Sequence, residues 1–444
     1  MPAPNILVVA IDGLRAAALG AYGNTSFATP VLDQIAAESF LFDSCYAPSA
    51  DLSGVYRALW QSIHPARPEC GASHRDGAQI ARSLPRMLRE LGYATTLVTD
   101  EPKSLSFAFV DDFDECIQLA ADADIEKNPV RADDVSQTAM ARVFSAACDV
   151  VAPRQTEPRS PSARVPRFIW LHSCGMYGAW DAPIELQQSL LDEGDPPPVE
   201  ARIPPDFLIA SDAEPDAIFR HSCAYAAQVM SLDACCRDLL EYVYSDRASE
   251  QWLVVVLGTR GYPLGEHRRV GGVDPRLYAE QLHVPWLVRF PDGLGRLARS
   301  DQLVSHFDVM PTLLDYIESA MGGDRAGMDG MSALPLAPTA RVDWRDALVF
   351  ASGNGSQAIR TAAWSLRREG MTSDAKTTSR EATSPQCELF VRPDDRWEAN
   401  DVAKLCPDVV DALGSAMNDT LQKLSAGDAK PLTSLLSAGS ASRC

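Results

Sequence analysis

Positive charge is scarce in this sequence. Lysine and arginine number 40 against 60 aspartates and glutamates, which gives a formal net charge of -20 over 444 residues. Nucleic acids and anionic membrane surfaces bind through clustered Lys and Arg, so the composition argues against both as partners. Long apolar runs are missing too, because none approaches the roughly 20 residues of a membrane helix. The first apolar stretch has neither a basic flank nor a small-residue cleavage signal, so we expect a strand there and no secretory leader.

Paired cysteine motifs are also missing. The 11 cysteines are odd in number and scattered, with one adjacent pair at Cys235 and Cys236 and no Cys-x-x-Cys. This pattern is typical of buried thiols in a reducing compartment, so we expect a cytoplasmic protein, with a zinc cluster as the minor alternative. The sequence identifies no protein partner and is compatible with an oligomer.

What the chain does have is enough apolar sequence for a large core. It is 46% hydrophobic and 23% charged, which is an ordinary globular composition, and its length predicts two or three units. Strand-like apolar runs lie at residues 6–11, 94–98, 168–171, 252–257 and 286–288. Helical patterns separate them, with predicted helix starts at Thr29 and Ser83. This alternation predicts an α/β fold with a mostly parallel central sheet flanked by helices on both faces.

Beyond about residue 336 the pattern changes to short strand-like pieces followed by a helix from Asp401 onward. We therefore predict an α/β domain over 1–336 and a small C-terminal α+β domain over 337–425, with an antiparallel sheet plus one helix. The Ser/Ala/Gly-rich stretch 426–444 is expected to be a flexible tail. Three polar insertions are predicted to be surface loops, at 151–166, 192–216 and 371–385.

Two apolar runs end where an open parallel sheet collects its ligands, outside the carboxyl ends of the strands. The run 6–11 delivers Asp12, and the run 252–257 leads to Arg260. Arginine is protonated at any working pH and cannot ligate a cation. A metal site built around Asp12 would therefore contain its own internal positive charge. The alternatives for Asp12 are an ion pair with Arg260 or Arg15, or a helix cap.

The order of segments resembles the sulfatase family of the alkaline-phosphatase superfamily over nearly the whole chain. Residues 5–15 are similar to that family's opening strand with its metal-binding aspartate, and residues 45–65 are similar to its nucleophile region. The stretch 254–267, ending in Gly265-Glu266-His267, resembles the segment that holds the remaining metal ligands. Further matching segments follow in the family's order at 20–42, 168–183, 304–314 and 358–361. The resemblance implies an alkaline-phosphatase-like fold with a small C-terminal domain.

The family's chemistry needs a cysteine or serine, within Cys/Ser-x-Pro-x-Arg, that is oxidised to formylglycine. The hydrated aldehyde attacks sulfur beside a divalent cation, typically calcium. Aligned without gaps, the motif falls on Leu52-Ser53-Gly54-Val55-Tyr56, which puts leucine at the nucleophile position. A slip of one residue pairs Ser53 with Arg57 at the right separation, but Val55 then replaces the proline. Ser53 and Arg57 are the candidate catalytic residues under that alignment.

The family's metal positions are incomplete in this sequence. The family commonly opens with Asp-Asp and later presents Asp-His-Gly or Asp-Asn. Here Gly13 follows Asp12, and Thr259-Arg260 stands in place of the second pair. A divalent ion needs several anionic oxygen ligands. Asp12 alone therefore predicts an incomplete, empty metal site, and neither calcium nor formylglycine is expected as a cofactor.

The positions that contact substrate in the family also change. Its substrate histidine and a nearby acid fall on Tyr177 and Gly175, and its sulfate-contacting lysine falls near Gly272, whereas His172 matches an earlier position. His267 lies in the segment of the remaining metal ligands. Hydrogen-bonded structural histidines are the competing interpretation of His172 and His267.

Three functional hypotheses fit this pattern. The first is a sulfatase-family protein that has lost sulfuric ester hydrolase activity and keeps the fold for binding or assembly. The second is an active sulfate or phosphate ester hydrolase in which Ser53 attacks and Arg57 and Arg260 stabilise the anionic transition state, with no general base evident beside Ser53. The third is a metal-free module that binds a small oxyanion or sulfated ligand through Arg57 and Arg260, with Arg260, His172 and His267 as the anion-binding or metal-replacing candidates. We favour the first, with the third as its physiological form.

Overall fold

The computed structural model describes residues 3–68, 82–102, 109–119, 131–152, 165–200, 202–210, 215–245, 252–317, 327–337, 344–370 and 387–427. Most of the predicted insertion 151–166, all of the insertion 371–385 and most of the predicted tail lie outside the described residues.

The strands are β1 (Asn5–Asp12), β2 (Phe40–Tyr46), β3 (Ala94–Thr99), β4 (Glu115–Gln118), β5 (Arg167–Ser173), β6 (Asp206–Leu208), β7 (Trp252–Arg260), β8 (Arg269–Gly271), β9 (Trp286–Arg289), β10 (Arg299–Ser305), β11 (Ala347–Ala351), β12 (Gln357–Thr361), β13 (Trp364–Arg368) and β14 (Cys387–Val391). The helices are α1 (Pro30–Glu38), α2 (Leu52–Gln61), α3 (Leu84–Glu90), α4 (Ala139–Val151), α5 (Ile184–Gln188), α6 (Pro215–Ser245), α7 (Ala279–Leu282), α8 (Val309–Ile317) and α9 (Pro407–Ser425).

The central sheet has the order β10-β2-β9-β7-β1-β5-β3-β4. Its middle is parallel, since β1 pairs with β5 and β7 and β3 pairs with β4 and β5 in parallel. β9 runs antiparallel to both β7 and β2. Every residue of β1, β5 and β7 is buried, which is why these strands appear in the sequence as continuous apolar runs rather than alternating ones. The prediction of a mostly parallel sheet is confirmed.

The described residues form two compact units, each made of separate stretches of chain. The first contains Met1–Asp43, Ser83–Gly272 and Val284–Ser300, and the second contains Ser44–Arg82, Val273–His283 and Asp301–Cys444. The predicted C-terminal domain, 337–425, falls within the second unit. The predicted boundary at 336 stays a prediction.

Each unit has its own apolar core. In the first, β1 side chains pack with residues of α4 and α6, among them Phe144, Val229 and Leu232. In the second, β11 to β14 form a four-stranded antiparallel sheet in sequence order, and α9 packs on it through Leu413 and Met417. This confirms the predicted small antiparallel sheet with one helix. No helix in the described part of the chain is both long and apolar enough to cross a membrane.

Two local predictions are wrong. The last helix begins at Pro407 and not at Asp401, because the Asp401 carboxylate is used in a turn, where it accepts the N–H groups of Leu389 and Ala403 at 3.0 and 2.9 Å. Proline then occupies the first helical position, which suits its fixed φ. The insertion 192–216 is also not all loop, because it contains β6, which pairs antiparallel with β8.

Candidate functional site

The carboxyl ends of β1 and β7 bring Asp12 and Arg260 together in the first unit. The two strands are in parallel register up to Ile11 and Gly258, and a shift after Ile11 then places Asp12 opposite Arg260. The shift matters because side chains alternate between the two faces of a sheet, so a one-residue offset decides which side chains meet. Asp12 is fully buried and Arg260 is 8% exposed.

The Asp12 carboxylate is held by three donors. Arg260 donates from Nε to Oδ1 at 2.9 Å and from Nη2 to Oδ2 at 2.8 Å, which is the two-pronged geometry that makes guanidinium–carboxylate pairs strong. The Thr259 hydroxyl donates to Oδ1 at 2.8 Å. The predicted Asp12–Arg260 ion pair is therefore present, with a threonine that the sequence had not assigned as its third donor.

Arg260 also has an aromatic ring over its face. The guanidinium carbon lies 4.2 Å from the ring centroid of Tyr177, in the range of a cation–π contact. Burial lowers the pKa of Arg260, but the Asp12 carboxylate more than offsets this, so that the pKa lies above its ordinary value. The side chain is a permanent cation in this environment.

Arg15 has a different partner from the alternative that the sequence offered. Its guanidinium pairs with Glu266 at 2.5 Å, and the other Glu266 oxygen accepts the Leu264 N–H at 2.9 Å. Burial raises the pKa of Glu266, but Arg15 and the hydrogen bonds outweigh it, so the net shift is downward. His267, the next residue, is half-buried, and its predicted anion-binding role stays a prediction.

His172 lies on β5 between β1 and β3, opposite Ala10 and Thr99. It is 1% exposed. Burial lowers its pKa, and Arg260 lowers it further, whereas Asp12 and Glu101 act in the opposite direction. The imidazole is therefore neutral at neutral pH. Its predicted role in anion binding or metal replacement remains a prediction.

Three titratable residues near the strand ends were missed from the sequence. Asp100 and Glu101 follow β3, and Cys174 follows β5. The Asp100 carboxylate accepts the Cys174 N–H at 2.7 Å, and the Cys174 thiol lies 3.3 Å from a Glu101 oxygen. Burial raises the pKa of Asp100 to about 6. The rule that located Asp12, polar residues directly after a buried strand, applies to Asp100 as well and would have found it.

The region that resembles the family's nucleophile segment belongs to the second unit. Leu52 is the first residue of α2 and is 5% exposed. Asp51 is the N-cap, and its Oδ2 accepts both the Gly54 N–H at 3.1 Å and the Ser53 hydroxyl at 2.7 Å. The sequence suggested no general base beside Ser53, whereas the structure places the Asp51 carboxylate against the Ser53 hydroxyl. The position of Asp51, two residues before Ser53, was the available signal.

Arg57 lies one turn further along α2. Its two terminal nitrogens donate to the backbone carbonyls of Arg67 and Pro68 at 2.6 and 2.9 Å. These bonds fasten the segment after the helix to the helix itself. The proposed catalytic use of Arg57 with Ser53 stays a prediction.

The Asp12 carboxylate is already occupied by donors from this chain, and the predicted empty metal site stays a prediction. Within the described stretches, no group of three or more His, Cys, Asp or Glu side chains is arranged to hold a metal ion. A calcium ion takes six to eight oxygen ligands. Asp12 already accepts three hydrogen bonds, two of them from a cation.

Comparison with known proteins agrees with the fold. The family model described as Sulfatase matches residues 4–319. The chain belongs to the sulfatase family. An N-acetylglucosamine-6-O-sulfatase of Bacteroides thetaiotaomicron is 23% identical to this sulfatase-family protein over 418 residues, covering 78% of this chain and 74% of the relative. The predicted family and superfamily fold are thus confirmed.

Solved structures with the same fold include a phosphonate monoester hydrolase of Agrobacterium radiobacter. It superposes with a TM-score of 0.69 at 17% identity, covering 95% of each chain. A second, in complex with its substrate D-glucosamine-2-N,6-O-disulfate, has a TM-score of 0.68 at 16% identity and covers 96% of this chain and 99% of its own.

Proposed function

We propose that this sulfatase-family protein has lost sulfuric ester hydrolysis and acts by binding or in assembly. The observation that carries the proposal is the two-pronged Asp12–Arg260 pair at the ends of β1 and β7. The resemblance assigns a catalytic cation to this place, and a guanidinium cannot accept a lone pair or activate an ester as a metal does. Arg260 therefore neutralises Asp12 as a metal ion would, but it cannot activate an ester.

The neighbouring glycines support the proposal. Gly13 stands where the family has its second aspartate, and its φ is +78°. A Cβ there would lie 2.6 Å from the Met176 Cβ, so a carboxylate would require the chain to shift. At Gly175, where the family has an acid, a Cβ would lie 2.4 Å from the Asp12 carbonyl oxygen. Restoring one ligand would therefore not restore a metal site.

Metal analysis of the purified protein, combined with a panel of esters, tests the proposal. The panel contains an aryl sulfate, an aryl phosphate and N-acetylglucosamine-6-sulfate, the last chosen because a relative is an N-acetylglucosamine-6-O-sulfatase. That relative serves as the positive control. We expect no stoichiometric divalent ion and no turnover. A bound divalent ion together with hydrolysis of any ester would overturn the proposal.

An active hydrolase is the second candidate, and one observation favours it. The Ser53 hydroxyl donates to the Asp51 carboxylate at 2.7 Å, so a base lies within reach of a candidate nucleophile. The same carboxylate caps α2, which accounts for its position without catalysis. Turnover that disappears in both Ser53→Ala and Asp51→Asn, but persists in the control Ser189→Ala, would establish this function. An inactive wild type would remove it.

If the protein acts by binding, the family resemblance suggests that its ligand is an anion. Sulfate, phosphate and sulfated sugars are the ligand class, and calorimetric titration of the wild type and of Arg260→Ala tests it. With a net charge of -20, we do not propose nucleic acid or anionic membrane as partner. Cytoplasmic localisation and an oligomeric state remain predictions from the sequence.

A further inference from the structure

Tyr177 covers the Asp12–Arg260 pair from the turn that follows β5. This turn, Gly175–Tyr177, is a single 3-10 turn, and it directs the phenol ring over the guanidinium at 4.2 Å. The Tyr177 hydroxyl lies 3.0 Å from the carbonyl oxygens of both Gly261 and Gly272. A hydroxyl has one proton, so the two carbonyls share it. Arg260 therefore holds the ring by its face, and the two carbonyl oxygens hold it by its hydroxyl group.

We propose that Tyr177 acts as an internal plug that closes the Arg260 guanidinium to ligands. The proposal deepens the proposed function and rests on it: the cation is replaced by Arg260, and the space for an anion over that cation is filled by this chain's own ring. Sulfate and phosphate would therefore bind at Arg260 more weakly with the ring in place than after it is removed or moved.

The positions that meet around the ring support this inference. The resemblance expects a substrate-contacting histidine at Tyr177 and a sulfate-contacting lysine near Gly272, and here the Tyr177 hydroxyl is hydrogen-bonded to the Gly272 carbonyl oxygen. A side chain at Gly272 would displace the ends of two side chains, because a Cβ would lie 2.2 Å from Asp206 Oδ1 and 2.3 Å from Arg269 Nη2, and the φ of +63° there also favours glycine. Asp206 and Arg269 form an ion pair between β6 and β8.

The Tyr177 ring also fills the space next to Gly13, at the end of β1. A Cβ at Gly13 would lie 3.2 Å from Tyr177 Cδ2, so the ring already fills the space that a larger residue at 13 would need. The ring also packs against Tyr262, with centroids 5.0 Å apart. Tyr262 in turn contacts Trp180 and Tyr225 at 5.7 and 5.5 Å. Tyr177 is thus the outer member of a packed aromatic group and not a loose surface side chain.

Titration with sodium sulfate and sodium phosphate tests the plug in the full chain. Tyr177→Ala removes the ring, and Tyr177→Phe is the matched control that keeps the ring and removes the hydroxyl. We expect sulfate to bind Tyr177→Ala at least about ten-fold more tightly than the wild type, the factor that a desolvated cation–π contact represents. Tyr177→Phe should stay closed, and Tyr177→Ala/Arg260→Met should lose the gained binding.

Two further readouts keep the test decisive if Tyr177→Ala folds poorly. The compound 4-methylphenol reproduces the missing side chain, so it should raise the Tm of Tyr177→Ala and compete with sulfate there. Phenylglyoxal labelling, read by peptide mass spectrometry, should modify the exposed Arg86 in every protein but reach Arg260 only in Tyr177→Ala.

The plug is wrong if the wild type binds sulfate as tightly as the alanine variant, or if phenylglyoxal modifies Arg260 in the wild type. A folded Tyr177→Ala that binds neither sulfate nor 4-methylphenol also overturns it. These outcomes leave the loss of hydrolysis standing, because that proposal fails only on metal content and turnover.

Discussion

At the scale of single residues, the burial of Asp12 and Arg260 makes each side chain depend on the other. Removing one member of a buried pair leaves a charge without its counterion, whereas removing both can be nearly neutral. The pair therefore gives a clear expectation for mutagenesis, because Asp12 is fully buried and accepts three hydrogen bonds.

We predict that Arg260→Leu lowers the free energy of unfolding by about 3–5 kcal/mol. The double variant Asp12→Leu/Arg260→Leu should lose less than Arg260→Leu alone, since it leaves no buried charge. Urea unfolding measures both. Arg86→Leu is the control, because Arg86 pairs with Glu90 at the surface and such pairs contribute at most about 1 kcal/mol. Equal effects of Arg260→Leu and Arg86→Leu would contradict the prediction.

Asp100 gives a prediction on pH. Burial raises the pKa of its carboxyl group to about 6, above the ordinary value of about 3.9 for an unfolded chain. The native state therefore binds this proton more tightly than the unfolded state does. Its stabilising contribution is complete below the unfolded pKa and is lost as pH rises through about 6.

Asp100→Asn should remove that part of the pH dependence. Asparagine keeps an oxygen that can accept the Cys174 N–H and carries no charge at any pH. We expect the variant to gain stability relative to the wild type as pH rises from about 4 to 7, by up to about 3 kcal/mol. Urea unfolding at several pH values checks this. A difference between the two proteins that does not change with pH would rule the prediction out.

The residues of the site were predictable where they follow a buried strand, and less so elsewhere. Asp12 and Arg260 come directly after long apolar runs, so their meeting was inferred from sequence. Tyr177 lies in a turn whose path depends on Gly175 with φ +50°, and its contacts with Gly261 and Gly272 join residues far apart in the chain. No local pattern encodes such contacts.

At the scale of elements, α1 shows how a helix start can be capped from another helix. Thr29 is the N-cap residue, but its side chain makes no capping bond and donates to Asp33 at 3.3 Å. Instead, the carboxylate of Asp233, from α6, accepts the N–H groups of Val31 and Leu32 at 3.2 and 2.8 Å. Free N–H groups at a helix start attract such a carboxylate.

We predict that Asp233→Ala lowers the free energy of unfolding by about 1–2 kcal/mol, the range of a lost N-cap. Asp233→Asn is the matched variant, since it keeps an oxygen acceptor and loses only the charge, and it should cost less than alanine. Urea unfolding gives both values. If asparagine costs as much as alanine, the carboxylate charge and not the hydrogen bonds accounts for the effect, and the capping argument fails.

The elements themselves followed from the sequence to different degrees. The buried parallel strands β1, β5 and β7 were found because their apolar runs are continuous. β12 was not predicted as a strand, because its five residues carry a polar or charged side chain at three positions, and the buried Arg360 among them is neutralised by Glu398. A single sequence does not reveal that partner. The antiparallel direction of β9 is likewise visible only in its pairing with β7 on one side and β2 on the other.

At the scale of the whole molecule, buried ion pairs occur in both units. In the second unit, Asp308 and Arg345 are both fully buried in their side chains, joined by two hydrogen bonds of 2.5 and 2.6 Å. Asp308 also accepts the Ser305 N–H in a capping box at the start of the 3-10 turn His306–Asp308, which directly precedes α8. In the first unit the corresponding device is Asp12 with Arg260. Such pairs satisfy buried charge from within the chain, with no bound ion needed to balance it.

The stability of the intact protein should therefore not respond to divalent cations. A ligand that binds only the native state at about 100 times its dissociation constant adds about 2.7 kcal/mol of stability. Here a cation would first have to displace the Arg260 guanidinium from Asp12. We predict the same Tm in EDTA and in millimolar calcium chloride, measured by thermal unfolding at fixed ionic strength. Sodium chloride of matched ionic strength is the control, since salt screens surface charge on a chain of net charge -20. A Tm that rises in calcium and falls in EDTA would show that oxygen ligands bind a cation despite Arg260.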